Sequence, residues 1–578
     1  MLITKSEGRL SSSYRRQTVL GNQPDHALAS VATLVRILTY AVVTVLTAFA
    51  PDLALGQVAG ASKPKPQMKL KNGDSQYKRI HQFALRMIEL EKPEVARKTL
   101  EDHLGRHPND EESLFLMGVL NATSGNNVQA VKNWKQALEA NLPPGRIVAG
   151  PRGVLSDIQD HDFVKSLRTE LAQTLIHGPI LGSVTDASAM AWVRTADETQ
   201  VRLVVSESPN FTVAIAGKAT MALAKNDFTA KPVVEGLKPS TRYFYAIEID
   251  GNLNRSDDQV FSTFPGPGRS SQFKLAFGGG AGYVPPNERM WNVIAKQQPD
   301  LALLLGDNVY IDDPESEAMQ KYTYYRRQSR PEFRAFTAKT PTFTIWDDHD
   351  FGTNDCWGGP EIDRPAWKRD KAWTIYRQNW PNPGFGGGEE QPGCWYTFSY
   401  GDVDFVMLDC RYYRTSPRVE SPSMLGPAQI EWFKKVIPSL QGKFKVICSS
   451  VPWTFASKGD SLDMWNGYKA ERNMIFDFLR EKQIEGVVLV SADRHRSDAW
   501  KLSHPGGYDF YEFNSSRLTN QHVHKEMAQA IFSYNKQQSF GLVSFDTTAD
   551  NPTVKYEVIN ISGETVHEMT LKLSQLSL

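Results

Sequence analysis

Four short apolar runs, each halted by a polar cluster, constrain this 578-residue chain more than any other feature. Leu301 to Leu305 stops at Gly306-Asp307-Asn308-Val309-Tyr310, and Phe343 to Trp346 runs into Asp347-Asp348-His349-Asp350. Phe405 to Leu408 ends at Asp409-Cys410-Arg411, and Gly486 to Val490 at Ser491-Ala492-Asp493-Arg494-His495. Unbroken apolar runs this short read as strands buried on both faces. They alternate with helical patterns from residue 270 to 578, which predicts a layered α/β domain. Sheets of that kind present functional side chains just beyond the carboxyl ends of their strands.

The residue types at these ends point to bound cations. Three carboxylates and an imidazole in the run Asp347 to Asp350 repel one another unless positive charge holds them. Asp493 and His495 stand two apart, so on extended backbone they share a face and can grip one metal. Taken together the clusters predict a site of oxygen and nitrogen ligands for two or more ions. Such a pair of cations clamps a phosphate ester and acidifies a water. Arg411 and Arg414 offer planar forks suited to phosphate oxygens, and His349 is placed to give a proton to a leaving alkoxide. No Walker loop or Gly-x-Ser-x-Gly elbow competes for the role.

The remaining segments frame this domain. Residues 1–56 hold an apolar run, Ile37 to Ala50, after Arg36 and before Ala54-Leu55-Gly56. That order predicts an export signal, cleaved or kept as an anchor, and hence a periplasmic, secreted or membrane-anchored protein. A Pro- and Lys-rich linker covers 57–76. Residues 77–144 show a 34-residue register in which Ala96 and Leu100 recur as Ala130 and Trp134, and Phe83-Ala84 as Met117-Gly118. This resembles two tetratricopeptide repeats, which would lean on a neighbour or bind a protein partner and supply packing positions but no chemistry. A helical bridge fills 145–176. Period-two alternation over 177–265 predicts a β-sandwich, with Trp192 in its core. There the Leu237 to Tyr245 stretch looks like the tyrosine corner of a fibronectin type III domain. Lys plus Arg and Asp plus Glu both total 65, which excludes a basic coat for nucleic acid, and no specific nucleic-acid binding is expected. Cys356 and Cys394 lie in loops, where they either pair or stay free.

The order of the four clusters resembles the calcineurin-like metallophosphoesterase fold, and within it the alkaline phosphatase D (PhoD) family, over about 177–575. Ser515-Ser516-Arg517-Leu518-Thr519 adds a further matching stretch. By that resemblance Asp307 bridges two metals, Tyr310 ligates through its phenolate, Asp348 replaces an asparagine ligand, and Asp493 with His495 completes the set. His349 and Arg411 would act in catalysis, with Arg414 and Asn354 at the substrate. The resemblance implies calcium and iron. It also exposes a departure: the family's first strand ends in an iron-holding cysteine, and here Gly278-Gly279-Gly280 offers no side chain. The remaining ligands suit calcium, manganese or magnesium and tolerate zinc or iron. The implied activity is hydrolysis of phosphate monoesters or diesters; a degenerate phosphoesterase serving as a binding module is the alternative.

Overall fold

The computed structural model describes residues 77–358 and 371–578, so the export signal and linker expected at 1–76 lie outside the described residues. The described chain opens with two helical hairpins: α1 (Tyr77–Glu89), α2 (Pro93–Leu104), α3 (Glu111–Thr123) and α4 (Asn127–Glu139). Their starts follow from local chemistry. Proline opens α2, Asp110 caps α3 by accepting from the Ser113 amide at 2.7 Å, and Asn126 caps α4 through Gln129 at 3.2 Å. Helix α3 is buried almost all round, as an apolar central helix must be. It crosses α4 closely because residue 118 is glycine; a Cβ there would stand 2.3 Å from the Trp134 indole nitrogen.

These helices lean on the chain's own α/β part. Their core runs on into Met319, Tyr322 and Tyr325 of α5 (Glu317–Gln328). At the seam Glu112 and Arg146 form a buried ion pair, and the Tyr322 hydroxyl donates to Glu112 at 2.9 Å. Buried charges persist when paired and hydrogen-bonded in this way.

A β-sandwich follows. In one sheet β1 (Leu175–Gly182) pairs antiparallel with β2 (Ser188–Thr195), and in the other β3 (Thr199–Ser206) pairs with β4 (Arg242–Ile249). The Tyr243 hydroxyl accepts from the Lys238 amide at 3.0 Å, fixing the corner before β4. Trp192 is fully buried and its indole N–H donates to the Gln378 carbonyl at 2.7 Å, which ties the sandwich to the next domain.

Two mixed sheets form that domain. In the first, β5 (Gln272–Gly278), β6 (Leu301–Leu305) and β7 (Thr342–Ile345) run parallel. An antiparallel meander of Ser539–Asp546, Thr553–Asn560 and Thr565–Lys572 continues from β5. In the second, β8 (Val403–Met407), β9 (Phe444–Cys448), β10 (Val487–Ser491) and β11 (Phe510–Ser515) are parallel, with antiparallel neighbours at both ends. The four anticipated apolar strands are β6, β7, β8 and β10, and all are buried along their length. No helix among the described residues is long and apolar enough to cross a membrane. Cys356 and Cys394 are unbonded, so the disulfide weighed from their loop positions is not formed.

Candidate active site

The loops leaving the parallel strands are sewn to one another. After β5 the Gly280 and Ala281 amides donate to Gly306 and Asp307 carbonyls (3.2 and 2.8 Å), and Leu518 beyond β11 donates to Gly279 at 3.0 Å. Asp350 joins the second loop to the first by accepting from the amides of Asn308 (3.0 Å), Val309 (3.1 Å) and its own helix cap Asp347 (3.0 Å). It closes a capping box on the short helix α6 (Asp348–Phe351), and burial pushes its carboxyl up to about 7. Four residues here, Asp307, Asp312, Asp493 and His495, hold positive φ without being glycine. Such strain persists where the surroundings over-determine it, and it concentrates at functional sites.

One atom each from Asp307, Asp348 and His349 lies within 4.8 Å of the others. Burial, together with the neighbouring acids Asp348, Asp347 and Asp350, drives the Asp307 carboxyl well above its ordinary range despite His349. Burial lifts Asp347 to about 8 even though Arg411 touches it. Burial also acts to lower His349, but Asp348, Asp312 and Asp307 outweigh it and raise the imidazole to about 9. The Tyr310 hydroxyl donates to Asp307 Oδ2 at 2.8 Å and accepts from Asn520 at 2.6 Å. Phenolate ligation by Tyr310 would exchange that first bond for a cation.

Asp493 and His495 reach the site differently from the sequence expectation. Their spacing predicts one shared face of extended backbone, but β10 ends at Ser491 and both residues turn into left-handed conformations, at φ 65° and 48°. Neither belongs to the tight Asp307–Asp348–His349 group. Asp493 sits on the side of Arg411, Asp347 and Asp463, where Lys458, Arg494 and Arg411 hold it below the usual carboxylate range against its burial. His495 packs against His522 and His524, at ring separations of 5.0 and 5.5 Å.

The two arginines lie deeper than an open phosphate fork would, each against acids of the chain itself. Arg411 is fully buried, with Nε 2.6 Å from Asp347 and Nη1 2.9 Å from Asp463. Its third nitrogen lies 3.3 Å from Asp463 and 3.8 Å from Asp348. Arg414 is equally buried, spent on the Tyr468 hydroxyl (2.8 Å) and on Asp463 (3.0 Å). Asp463, from the loop before Trp465, pairs with both arginines, while Arg414 Nη1 stays buried without a hydrogen-bond partner. Asn354 stands exposed in the turn after α6, outside the cluster.

The sequence profile of the PhoD-like phosphatase family matches residues 275–577, more than half of the chain. The chain belongs to the PhoD-like phosphatase family. The profile of that family's N-terminal domain matches residues 164–265, which include the sandwich. Alkaline phosphatase D of Bacillus subtilis (strain 168) is 24% identical over 381 residues, which cover 56% of this chain and 65% of that relative. A solved structure of PhoD superposes with a TM-score of 0.58 at 20% identity, over 68% of this chain and 88% of that one. Purple acid phosphatase PPD1 from yellow lupin (Lupinus luteus) seeds superposes at 0.52 with 12% identity, over 69% and 75%. These two superpositions establish the fold.

At Gly280 the absence of a side chain is built into the backbone. Its φ is +69°, and a Cβ would meet the Arg517 amide at 2.9 Å, Ser516 Oγ at 3.1 Å and His495 Nδ1 at 3.2 Å. A side chain there would strain the backbone and crowd these three neighbours. Several site residues escaped the sequence reading. Asp312 follows Tyr310 by two positions and was signalled by the acidic Asp312-Asp313 pair. Asn520 directly follows the Ser515 to Thr519 stretch, whereas Asp463 carried no signal.

Proposed function

We propose that this PhoD-like chain is a metal-dependent phosphoesterase acting on phosphate monoesters or diesters. The observation that carries the reading is the convergence of Asp307, Asp348 and His349, with Asp347 and Tyr310 alongside, at the ends of adjacent parallel strands. The donor set fits cations: Asp307 Oδ1, Asp347 Oδ2 and His495 Nδ1 are buried without a protein hydrogen-bond partner. Buried acceptors left unpaired are costly, and a cation would satisfy them. Asp307, Tyr310, Asp348, Asp493 and His495 would hold the ions, with Asp347 as a further candidate. Bound divalent ions would supply charge to the phosphoryl group and an acidified water. His349 donates Nδ1–H to Asp312, leaving Nε2 to pass a proton to the leaving oxygen. Arg411 orders Asp347 and Asp348 from behind. In this reading calcium, manganese, magnesium or zinc is preferred over ferric iron, since no thiolate is present.

The test is hydrolysis of aryl phosphate mono- and diesters by the full chain before and after chelation. Activity should vanish with chelator and return with a divalent ion. Persistent activity in the metal-stripped protein, or none with any ion while the protein is folded, would reject the reading. The second result would favour a binding role, as would the loss of the cysteine ligand.

A further inference from the structure

Helix α1 carries two polar faces. On one, Tyr77 and His81 bond to Asp110 at 2.6 and 3.1 Å, which fixes the rotation of α1 against α3. On the other, Lys78, Arg79, Gln82, Arg86 and Glu89 meet the loop that follows β6. The spacing is that of a single helical stripe. The Lys78 ammonium lies 3.1 Å from the centroid of the Tyr310 ring, and Gln82 donates to the Tyr310 carbonyl. Arg86 Nε is 2.9 Å from Asp313, and Glu89 accepts from Ser316 at 2.7 Å. Arg79 Nη1 is 2.6 Å from Asp312 Oδ2, while Asp312 Oδ1 is 2.6 Å from His349 Nδ1. The segment expected to contribute packing alone thus touches the site.

We propose that α1 is a working part of the centre, with Arg79 acting through Asp312 as a positioning residue for His349. This rests on the phosphoesterase reading above. A carboxylate fixes an imidazole only when it is itself fixed. The backbone of Asp312 is left-handed and its side chain has two ends, Oδ1 hydrogen-bonded to His349 and Oδ2 ion-paired with Arg79 without an aligned hydrogen bond. Without Arg79 the carboxylate can rotate, and Nε2 of His349 loses its aim at the leaving group. Gln82, Arg86 and Glu89 keep the helix docked in that case. Lys78 adds a second cation at the same edge, over Tyr310.

The experiment uses full-length wild type, Arg79→Met, Arg79→Lys, Arg79→Ala and, as a control, Lys132→Ala on an exposed position of α4. With divalent ion and an aryl phosphate, Arg79→Met should lower kcat about 10- to 100-fold with KM little changed. Arg79→Lys should recover part of the loss. Arg79 is 25% exposed, so guanidinium added to Arg79→Ala should raise kcat toward wild type. Hydrogen exchange of residues 310–316 in the metal-free Arg79→Met protein should match wild type. An active wild type with unchanged kcat in Arg79→Met overturns this inference alone. So does a kcat loss that comes with deprotection of 310–316 and no guanidinium rescue, since that marks a brace. A wild type without hydrolysis takes the phosphoesterase reading down with it.

Discussion

Replacing Arg411 by methionine should act on stability before it acts on substrate. The side chain is fully buried, and its guanidinium is divided between Asp347 (2.6 Å) and Asp463 (2.9 Å). Methionine fills much of the stem volume but leaves two buried carboxylates short of their cation. Breaking a buried pair by removing one partner costs about 3–5 kcal/mol. Two features put the expected loss near the lower end. Asp463 keeps Arg414 at 3.0 Å, and Asp347, already raised to about 8, can take up a proton. The loss depends on pH in a defined sense. Burial works to raise Asp463, yet Arg411 and Arg414 hold it below the ordinary carboxylate range. A depressed carboxyl adds stability above its unfolded value, and that stability is lost as pH falls through the folded value. The gap between wild type and variant should therefore be widest near neutrality and narrow in acid below about pH 4. Urea unfolding of both proteins at pH 7 and at about pH 2.5, beside steady-state kinetics at pH 7 on an aryl phosphate, measures this. A variant as stable as wild type at pH 7 with a raised KM would refute the structural assignment and return Arg411 to the phosphate.

Two further expectations follow from the same geometry. Gly280→Cys should not restore an iron site; it should lower the thermal midpoint, because strain at such a backbone costs about 1–3 kcal/mol and the Cβ meets the Arg517 amide. Iron uptake at full occupancy with unchanged stability would contradict this. In the chelator-treated protein the raised His349 contributes stability that is full below pH 6.5 and gone once pH has risen through about 9. His349→Gln should remove that alkaline slope, and a slope kept by the variant would assign it to another group.

The sequence exposed the site's skeleton because buried parallel strands leave a plain signature. An apolar run such as Leu301–Leu305 has no other way to end than in a turn, and the turn carries the chemistry. The partners of those side chains were less visible. Arg411 and Arg414 looked like free forks because nothing in the sequence marks Asp463, a lone acid some fifty residues further on that pairs with both. Asp493 and His495 were judged by a strand period that stops at Ser491. The role of α1 could not be read at all: Gln82 and Tyr310 are 228 residues apart, and only the docking of two domains joins them. Local patterns report what a segment buries. They do not report which distant segment comes to meet its polar face.

That separation also orders the making of the molecule in time. Synthesis delivers the chain from its N-terminus at about 5–20 residues per second, so α1 waits roughly 10–50 s before Tyr310 exists to receive it. Asn520, which steadies the Tyr310 hydroxyl, arrives another 210 residues later. Through that interval the polar stripe of α1 has none of the partners it will meet in the loop after β6. The centre is therefore among the last parts of the protein to be finished, and its earliest-made piece is the one that has to wait longest.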